Sequence, residues 1–133
     1  EFVASGQFTL DVTAMARAES LFSAYRIDDS GTIAEIASTA KNVGMLLDPH
    51  SAVGLSAARR ARADGTIASD IPIVSLACAH PAKFETAVKV ATGTAPALPP
   101  HMADLMNRPE QMQTIAADVD AVKVLVLSQK RSV

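Results

Sequence analysis

Two short segments of this sequence combine polar side chains that could do chemistry with residues that shape the backbone. Residues 48–54, Asp-Pro-His-Ser-Ala-Val-Gly, hold a carboxylate, an imidazole and a hydroxyl close together. Residues 77–84, Ala-Cys-Ala-His-Pro-Ala-Lys-Phe, hold the single cysteine of the chain, Cys78, together with His80 and Lys83. Such groups can exchange protons, hold an anion or, in the case of a thiolate, attack an electrophile.

The residue types alone leave the role of Cys78 open. A buried free cysteine commonly serves as a small apolar side chain. A Cys–His nucleophile would need a stabilised thiolate, which neighbours such as Leu76 and Ala77 disfavour. Metal binding is also disfavoured, because Cys78, His50 and His80 lack the local spacing typical of zinc ligands. The sequence therefore predicts no metal site and no nucleophilic cysteine.

Composition and charge exclude several classes of function. The 133 residues are enough for one core of ordinary size, and the formal net charge of −2 gives no overall attraction for nucleic acid or anionic membranes. One cysteine cannot close an intramolecular disulfide, and no segment has the pattern of a signal peptide or a membrane span. We therefore expect a cytoplasmic protein with neither nucleic-acid nor membrane partners.

Periodicity predicts the elements that must position the chemical groups. Helical patterns begin near Thr13, near Ser30 as an N-cap, and at Asp48, where Asp-Pro has the N-cap and N1 arrangement. Further helices are predicted from Pro81 to Gly93, around residues 102–106 and over residues 118–129. The apolar run over residues 71–80 is typical of a fully buried strand, and residues 111–116 could form another.

These elements predict an α/β fold: a three-layer fragment with a mostly parallel sheet and flanking helices. In such folds, ligands bind where strands end and helices begin. Cys78 would then lie at the end of the 71–80 strand, in the crevice that receives a ligand. The residues of the 48–54 segment would face the same crevice from a helix start.

A family resemblance rests on these same motifs. The segments DPHSAVG and ACAHPAKF, followed by ALPPHMADLMNRPEQM, resemble the C-terminal part of threonine synthase from bacteria and fungi in order and separation. Two residues depart from the family pattern, because threonine more often stands where Ser51 and Cys78 stand here. The resemblance covers most of the chain and implies that residues 1–133 are the C-terminal portion of a larger fold type II enzyme dependent on pyridoxal phosphate.

The resemblance implies that the intact enzyme, a monomer, converts O-phospho-L-homoserine and water into L-threonine and phosphate. It also implies that the cofactor's Schiff-base lysine lies in a missing N-terminal part, so that this chain alone is inactive. None of the five lysines here matches the family's lysine motif; they are Lys41, Lys83, Lys89, Lys123 and Lys130.

The resemblance gives Cys78 a cofactor-binding role, because the family's hydroxyl residue at this position meets the pyridine nitrogen of the cofactor. Five further residues are expected to line the substrate site: Asp48, His50, Ser51, His80 and Lys83. For Asp48, His50 and Ser51, helix capping and packing is the alternative interpretation. The alternative for the whole chain is a non-catalytic α/β binding or interaction module that keeps these motifs for packing only.

Overall fold

The computed structural model describes residues 2–129, which belong to two compact units that divide between Leu98 and Pro99. The described residues form six α-helices and three 3₁₀ turns. The α-helices are α1 (Phe2–Ser5), α2 (Val12–Glu19), α3 (Asp29–Val43), α4 (Pro49–Ala63), α5 (Glu85–Thr92) and α6 (Val119–Ser128). The 3₁₀ turns are Pro81–Phe84, Pro100–Met102 and Leu105–Asn107.

Helix α4 begins as its sequence predicts. The Asp48 carboxylate accepts hydrogen bonds from the first free amides of the helix, and Pro49 occupies the first helical position, where no amide is needed. Gly44 and Gly93 end α3 and α5 in the left-handed conformation, with φ of 71° and 78°. Helix α3 instead begins two residues earlier than predicted. Its N-cap is Asp28, and the Ser30 hydroxyl donates to the Asp28 carboxylate instead of capping.

The core of the first unit lies where α3 packs against α4 and α5. Its buried apolar side chains are few and mostly small: Ile36 from α3, Ala52 and Ala61 from α4, and Val88 from α5. Alanines at the contact let two helices approach closely, so little apolar volume is needed to fill the space between them. This core holds α4, and therefore the 48–54 segment, in place.

The predicted parallel sheet with flanking helices is wrong. Residues 2–129 contain no strand, and neither residues 71–80 nor residues 111–116 form regular secondary structure. A strand exists only when a neighbouring strand accepts and donates its backbone hydrogen bonds, and the described residues offer none. Val74 and Leu76, expected to be covered on both faces, are 83% and 77% exposed.

Residues 71–79, called the 71–79 segment below, instead run antiparallel to α4 along its surface. At the C-terminal end of α4, the Arg62 guanidinium donates to the carbonyl of Ile71. Midway, the Ser75 hydroxyl lies 3.1 Å from the position a side chain on Gly54 would occupy. At the N-terminal end, the Cys78 amide donates to the Ser51 hydroxyl over 3.0 Å. The glycine thus allows the segment to pass close to the helix.

A polar cluster joins α3 to α4 beside the core. The largely buried Glu35 carboxylate accepts from the Thr39 hydroxyl at 2.8 Å, the Ser56 hydroxyl at 3.2 Å and Arg59 Nε at 3.1 Å. Thr39 belongs to the same helix as Glu35, whereas Ser56 and Arg59 belong to α4. A carboxylate with three donors is adequately paired for its burial.

The second unit contains two 3₁₀ turns and α6. Asp118 caps α6 by accepting from the amides of Asp120 and Ala121. Several apolar side chains of α6, among them Val124 and Val126, are exposed. A helix with apolar residues around its whole circumference is typical of a position inside a larger structure.

Replacing Glu35 with alanine should lower the free energy of unfolding by about 1–3 kcal/mol, because Thr39 and Ser56 then lose an acceptor in a partly buried place. Urea denaturation of the protein measures this change. The matched control is Glu19→Ala at the exposed end of α2, which should change the free energy by less than about 0.5 kcal/mol. Equal effects of the two substitutions would show that the Glu35 cluster does not join the helices.

Candidate functional site

The centre of the candidate site is the Asp48 carboxylate, which is only 1% exposed. Oδ1 accepts from the backbone amides of His50 at 3.0 Å and Ser51 at 3.4 Å. Oδ2 accepts from the Ser51 hydroxyl and from the Ala79 amide, the latter at 3.3 Å. The same carboxylate therefore caps α4 and holds the end of the 71–79 segment. Buried carboxylates need this density of donors to remain charged.

Burial and hydrogen bonding change the pKa of the Asp48 carboxyl in opposite directions. Burial by itself raises the pKa of Asp48. The hydrogen bonds from the Ser51 hydroxyl and from the amides of His50, Ser51 and Ala79 outweigh it, so the pKa of Asp48 lies below its ordinary value. Asp48 is consequently an anion at neutral pH.

Ser51 links Asp48 to Cys78. Its buried hydroxyl donates to Asp48 and accepts the Cys78 amide at 3.0 Å. A hydroxyl has one hydrogen to donate, and in Ser51 that hydrogen is used inside the protein. The geometry therefore gives Ser51 a supporting position, in which it sets where the backbone of Cys78 lies.

The His50 side chain stands between Asp48 and Phe84. Its Nδ1 lies 3.3 Å from Oδ1 of Asp48, and its ring meets the Phe84 ring edge-on, with centroids 5.0 Å apart. The side chain is nonetheless 61% exposed. Two contacts thus orient an imidazole that remains open to solvent.

The other predicted site residues surround this cluster. The Cys78 side chain is exposed, and its sulfur donates weakly to the Leu76 carbonyl at 3.6 Å. His80 is the N-cap of the Pro81–Phe84 turn, where its Nδ1 accepts from the Ala82 amide at 3.2 Å. Lys83 is exposed in the same turn.

The structure therefore brings Asp48, His50, Ser51 and Cys78 into one hydrogen-bonded cluster, with His80 and Lys83 following along the chain. Sequence reasoning missed two contributors, Phe84 and the amide of Ala79. An aromatic residue closing the HPAKF motif was a visible signal for the first. A backbone amide carries no signal in a sequence, so the second could come only from the structure.

The arrangement can orient an imidazole and present a thiol, and both groups can form hydrogen bonds with a polar ligand. Among the described residues, no group of three or more His, Cys, Asp or Glu side chains could hold a metal ion. No helix within residues 2–129 is long and apolar enough to cross a membrane.

Comparison with known proteins gives a consistent result. The family model described as threonine synthase, C-terminal, matches residues 51–126. The threonine synthase of Pseudomonas aeruginosa is 38% identical over 126 residues, which are 94% of this chain and 26% of that protein. The threonine synthase of Corynebacterium glutamicum is 33% identical over 112 residues, which are 84% of this chain and 22% of that protein.

A solved structure agrees with these relatives. The crystal structure of PLP-bound threonine synthase from Brucella melitensis matches with a TM-score of 0.74 and 38% identity, over 98% of this chain and 27% of that one. The chain thus spans about a quarter of the length of the proteins it matches.

The pKa of Asp48 leads to a pH-dependent prediction. A carboxyl whose pKa is lowered by folding stabilises the protein above its unfolded pKa of about 3.9, and this stabilisation is lost as the pH falls through the folded value. Asp48→Asn should therefore cost about 1–3 kcal/mol in the free energy of unfolding at pH 7. The difference from wild type should shrink below about pH 4.

Urea denaturation at a series of pH values measures this, with Asp70→Asn as the control because Asp70 is exposed. A difference between wild type and Asp48→Asn that stayed constant from pH 7 to pH 3 would contradict the role of the Asp48 charge.

Proposed function

The chain belongs to the threonine synthase family, and from that premise we propose that it is the C-terminal portion of an enzyme that converts O-phospho-L-homoserine and water into L-threonine and phosphate. The observation that supports this most directly is that the family match includes Ser51 and Cys78, which the structure joins through a hydrogen bond of 3.0 Å. The matched region begins at Ser51 and includes Cys78, His80 and Lys83. Asp48 and His50 directly precede the matched region, and hydrogen bonds join Asp48 to Ser51 and to the amide of Ala79 within it.

We propose pyridoxal phosphate as the cofactor, since a structural relative binds it. Among the described residues, the group that fits the cofactor is the exposed thiol of Cys78, which stands near the end of the 71–79 segment and is neutral as a thiol. When bound, the cofactor supplies an electron sink for negative charge that develops on the substrate. Cys78 would hold its pyridine nitrogen through a weak hydrogen bond.

A neutral partner has a chemical consequence that a carboxylate partner would not have. A thiol leaves the pyridine nitrogen largely unprotonated, whereas an aspartate would favour the protonated ring and so strengthen the electron sink. Ser51 supports this contact by fixing the Cys78 amide at 3.0 Å. The proposed role of Cys78 is thus to position the ring and keep it weakly protonated.

The substrate-facing side of the site is proposed to include His50, His80 and Lys83. The substrate carries a phosphate and a carboxylate, so groups that can carry positive charge suit it. Asp48 and Ser51 line the same place, but their hydrogen-bonding capacity is directed into the protein. They would act on substrate only through the residues they hold.

The remaining parts of the enzyme are also proposals. The Schiff-base lysine would come from the part of the polypeptide that precedes the matched portion of the relatives. The intact enzyme would act in the cytoplasm as a monomer. A non-catalytic binding module is the competing function, and it predicts a colourless protein.

The intact protein should absorb visible light as a pyridoxal phosphate enzyme and release inorganic phosphate from O-phospho-L-homoserine. Borohydride reduction followed by peptide mapping should attach the cofactor to a lysine outside residues 1–133. This chain alone, given pyridoxal phosphate, should show no stoichiometric label. A stoichiometric label on Lys83, or a colourless intact protein without phosphate release, would refute the proposal.

Substitutions of Cys78 test the cofactor contact. Cys78→Thr should keep activity, because a hydroxyl also donates and accepts. Cys78→Ala should weaken cofactor binding by no more than about tenfold, the equivalent of one ordinary hydrogen bond. Cys78→Asp should shift the absorbance of the bound cofactor and lower turnover.

Cofactor titrations and absorbance spectra of the intact enzyme provide the measurements. Loss of activity in Cys78→Thr with the cofactor still bound would instead indicate a mechanism that needs the thiol. A fall in turnover of several orders of magnitude in Cys78→Ala would point to the same conclusion.

A further inference from the structure

The two nitrogens of His50 have different surroundings. Nδ1 lies 3.3 Å from a carboxylate that is buried and ionised, whereas most of the side chain is open to solvent. Because a carboxylate only accepts hydrogen bonds, Nδ1 must carry the hydrogen of this pair. Nε2 is then the nitrogen available to a ligand.

Phe84 limits the remaining freedom of the ring. Its edge-on contact with the imidazole, at 5.0 Å between centroids and 63° between planes, acts together with the Asp48 contact. Restricting a side chain before a ligand arrives reduces the entropy lost on binding. Such an arrangement resembles the carboxylate–histidine pairs that orient imidazoles at functional sites.

Within the Asp48 cluster two side chains face outward, the exposed Cys78 thiol and the His50 imidazole, and only the imidazole can carry a positive charge. Asp48 is buried and accepts from several donors, and the Ser51 hydroxyl both donates and accepts within the cluster. His80 uses Nδ1 as an acceptor for the Ala82 amide, which requires that nitrogen to be unprotonated. The Nδ1 atom of His80 is therefore not available as a donor to a ligand while it caps the turn.

We propose that His50 binds the phosphate group of the substrate and of the inorganic phosphate product, with Asp48 as its positioning residue. This inference rests on the proposed function, which supplies a phosphate monoester as the substrate. In its protonated form His50 donates from Nδ1 to Asp48 and from Nε2 to a phosphate oxygen. Hydrogen bonds between ionised partners are stronger than neutral ones, so this contact contributes specificity for the phosphate.

Two amide substitutions separate the roles of the ring nitrogens. The glutamine amide nitrogen lies roughly where Nε2 lies, whereas the asparagine amide nitrogen lies roughly where Nδ1 lies. His50→Asn should weaken binding of inorganic phosphate to the intact enzyme by about tenfold or more. His50→Gln should retain more of that affinity. His101→Asn, at an exposed histidine in the other unit, is the matched control and should match wild type.

Calorimetric titration with inorganic phosphate measures this affinity without requiring turnover. In parallel, His50→Asn should raise KM for O-phospho-L-homoserine by a similar factor and leave the absorbance of bound cofactor unchanged. Equal phosphate affinity in wild type and His50→Asn would overturn the proposal, as would equal losses in the asparagine and glutamine variants. So would a changed cofactor spectrum, which would indicate a structural role.

The same experiments distinguish failure of the proposed function from failure of the role proposed for His50. If the wild-type protein bound phosphate through His50 but released none from O-phospho-L-homoserine, the phosphate site would stand and the reaction would be wrong. If the wild type turned over substrate while His50→Asn kept its phosphate affinity, the reaction would stand and the role of His50 would be wrong.

Discussion

The buried carboxylate of Asp48 is the interaction on which the site depends. Removing a charged group from water costs free energy unless donors replace the water. Here the donors come from both the start of α4 and the end of the 71–79 segment, through the Ser51 hydroxyl and the amides of His50, Ser51 and Ala79. Because the buried charge needs donors from both places, it fixes the start of α4 and the end of the 71–79 segment relative to each other. The positions of His50 and Cys78 follow from it.

The same interaction explains how the 71–79 segment is held without strand pairing. Its ends are fixed by side chains of α4, namely Arg62 at one end and Ser51 at the other, with Asp48 beside it. The middle passes Gly54, where a larger residue would meet Ser75. Side chains of one helix thus supply contacts that a sheet would otherwise provide. These contacts do not cover Val74 and Leu76, which remain exposed. Such exposed apolar side chains are consistent with a chain that spans about a quarter of the length of its relatives.

Sequence reasoning succeeded where the cause of a structure is local. Helix ends are set within one turn of the chain, so the residue types were sufficient to predict them. Asp48 and Pro49 begin α4, and Gly44 and Gly93 end α3 and α5. It failed for the 71–80 run, because a strand depends on a partner that the run itself does not encode. The N-cap of α3 shows a smaller failure. Asp28 and Ser30 both suit the position, and the carboxylate accepts from the helix amide and from the serine hydroxyl together.

In the candidate site, too, features with a local cause were predictable from the sequence and features that depend on distant contacts were not. The motifs identified the polar residues, but not which of them are used internally and which face outward. That difference depends on hydrogen bonds between separated segments, such as those from the Cys78 and Ala79 amides to Ser51 and Asp48. Because these bonds use the backbone of residue 78, they hold the same position whether its side chain is a thiol or a hydroxyl. The cluster can therefore present either group at the same place, which explains physically how a cysteine can stand where the family resemblance led us to expect threonine more often.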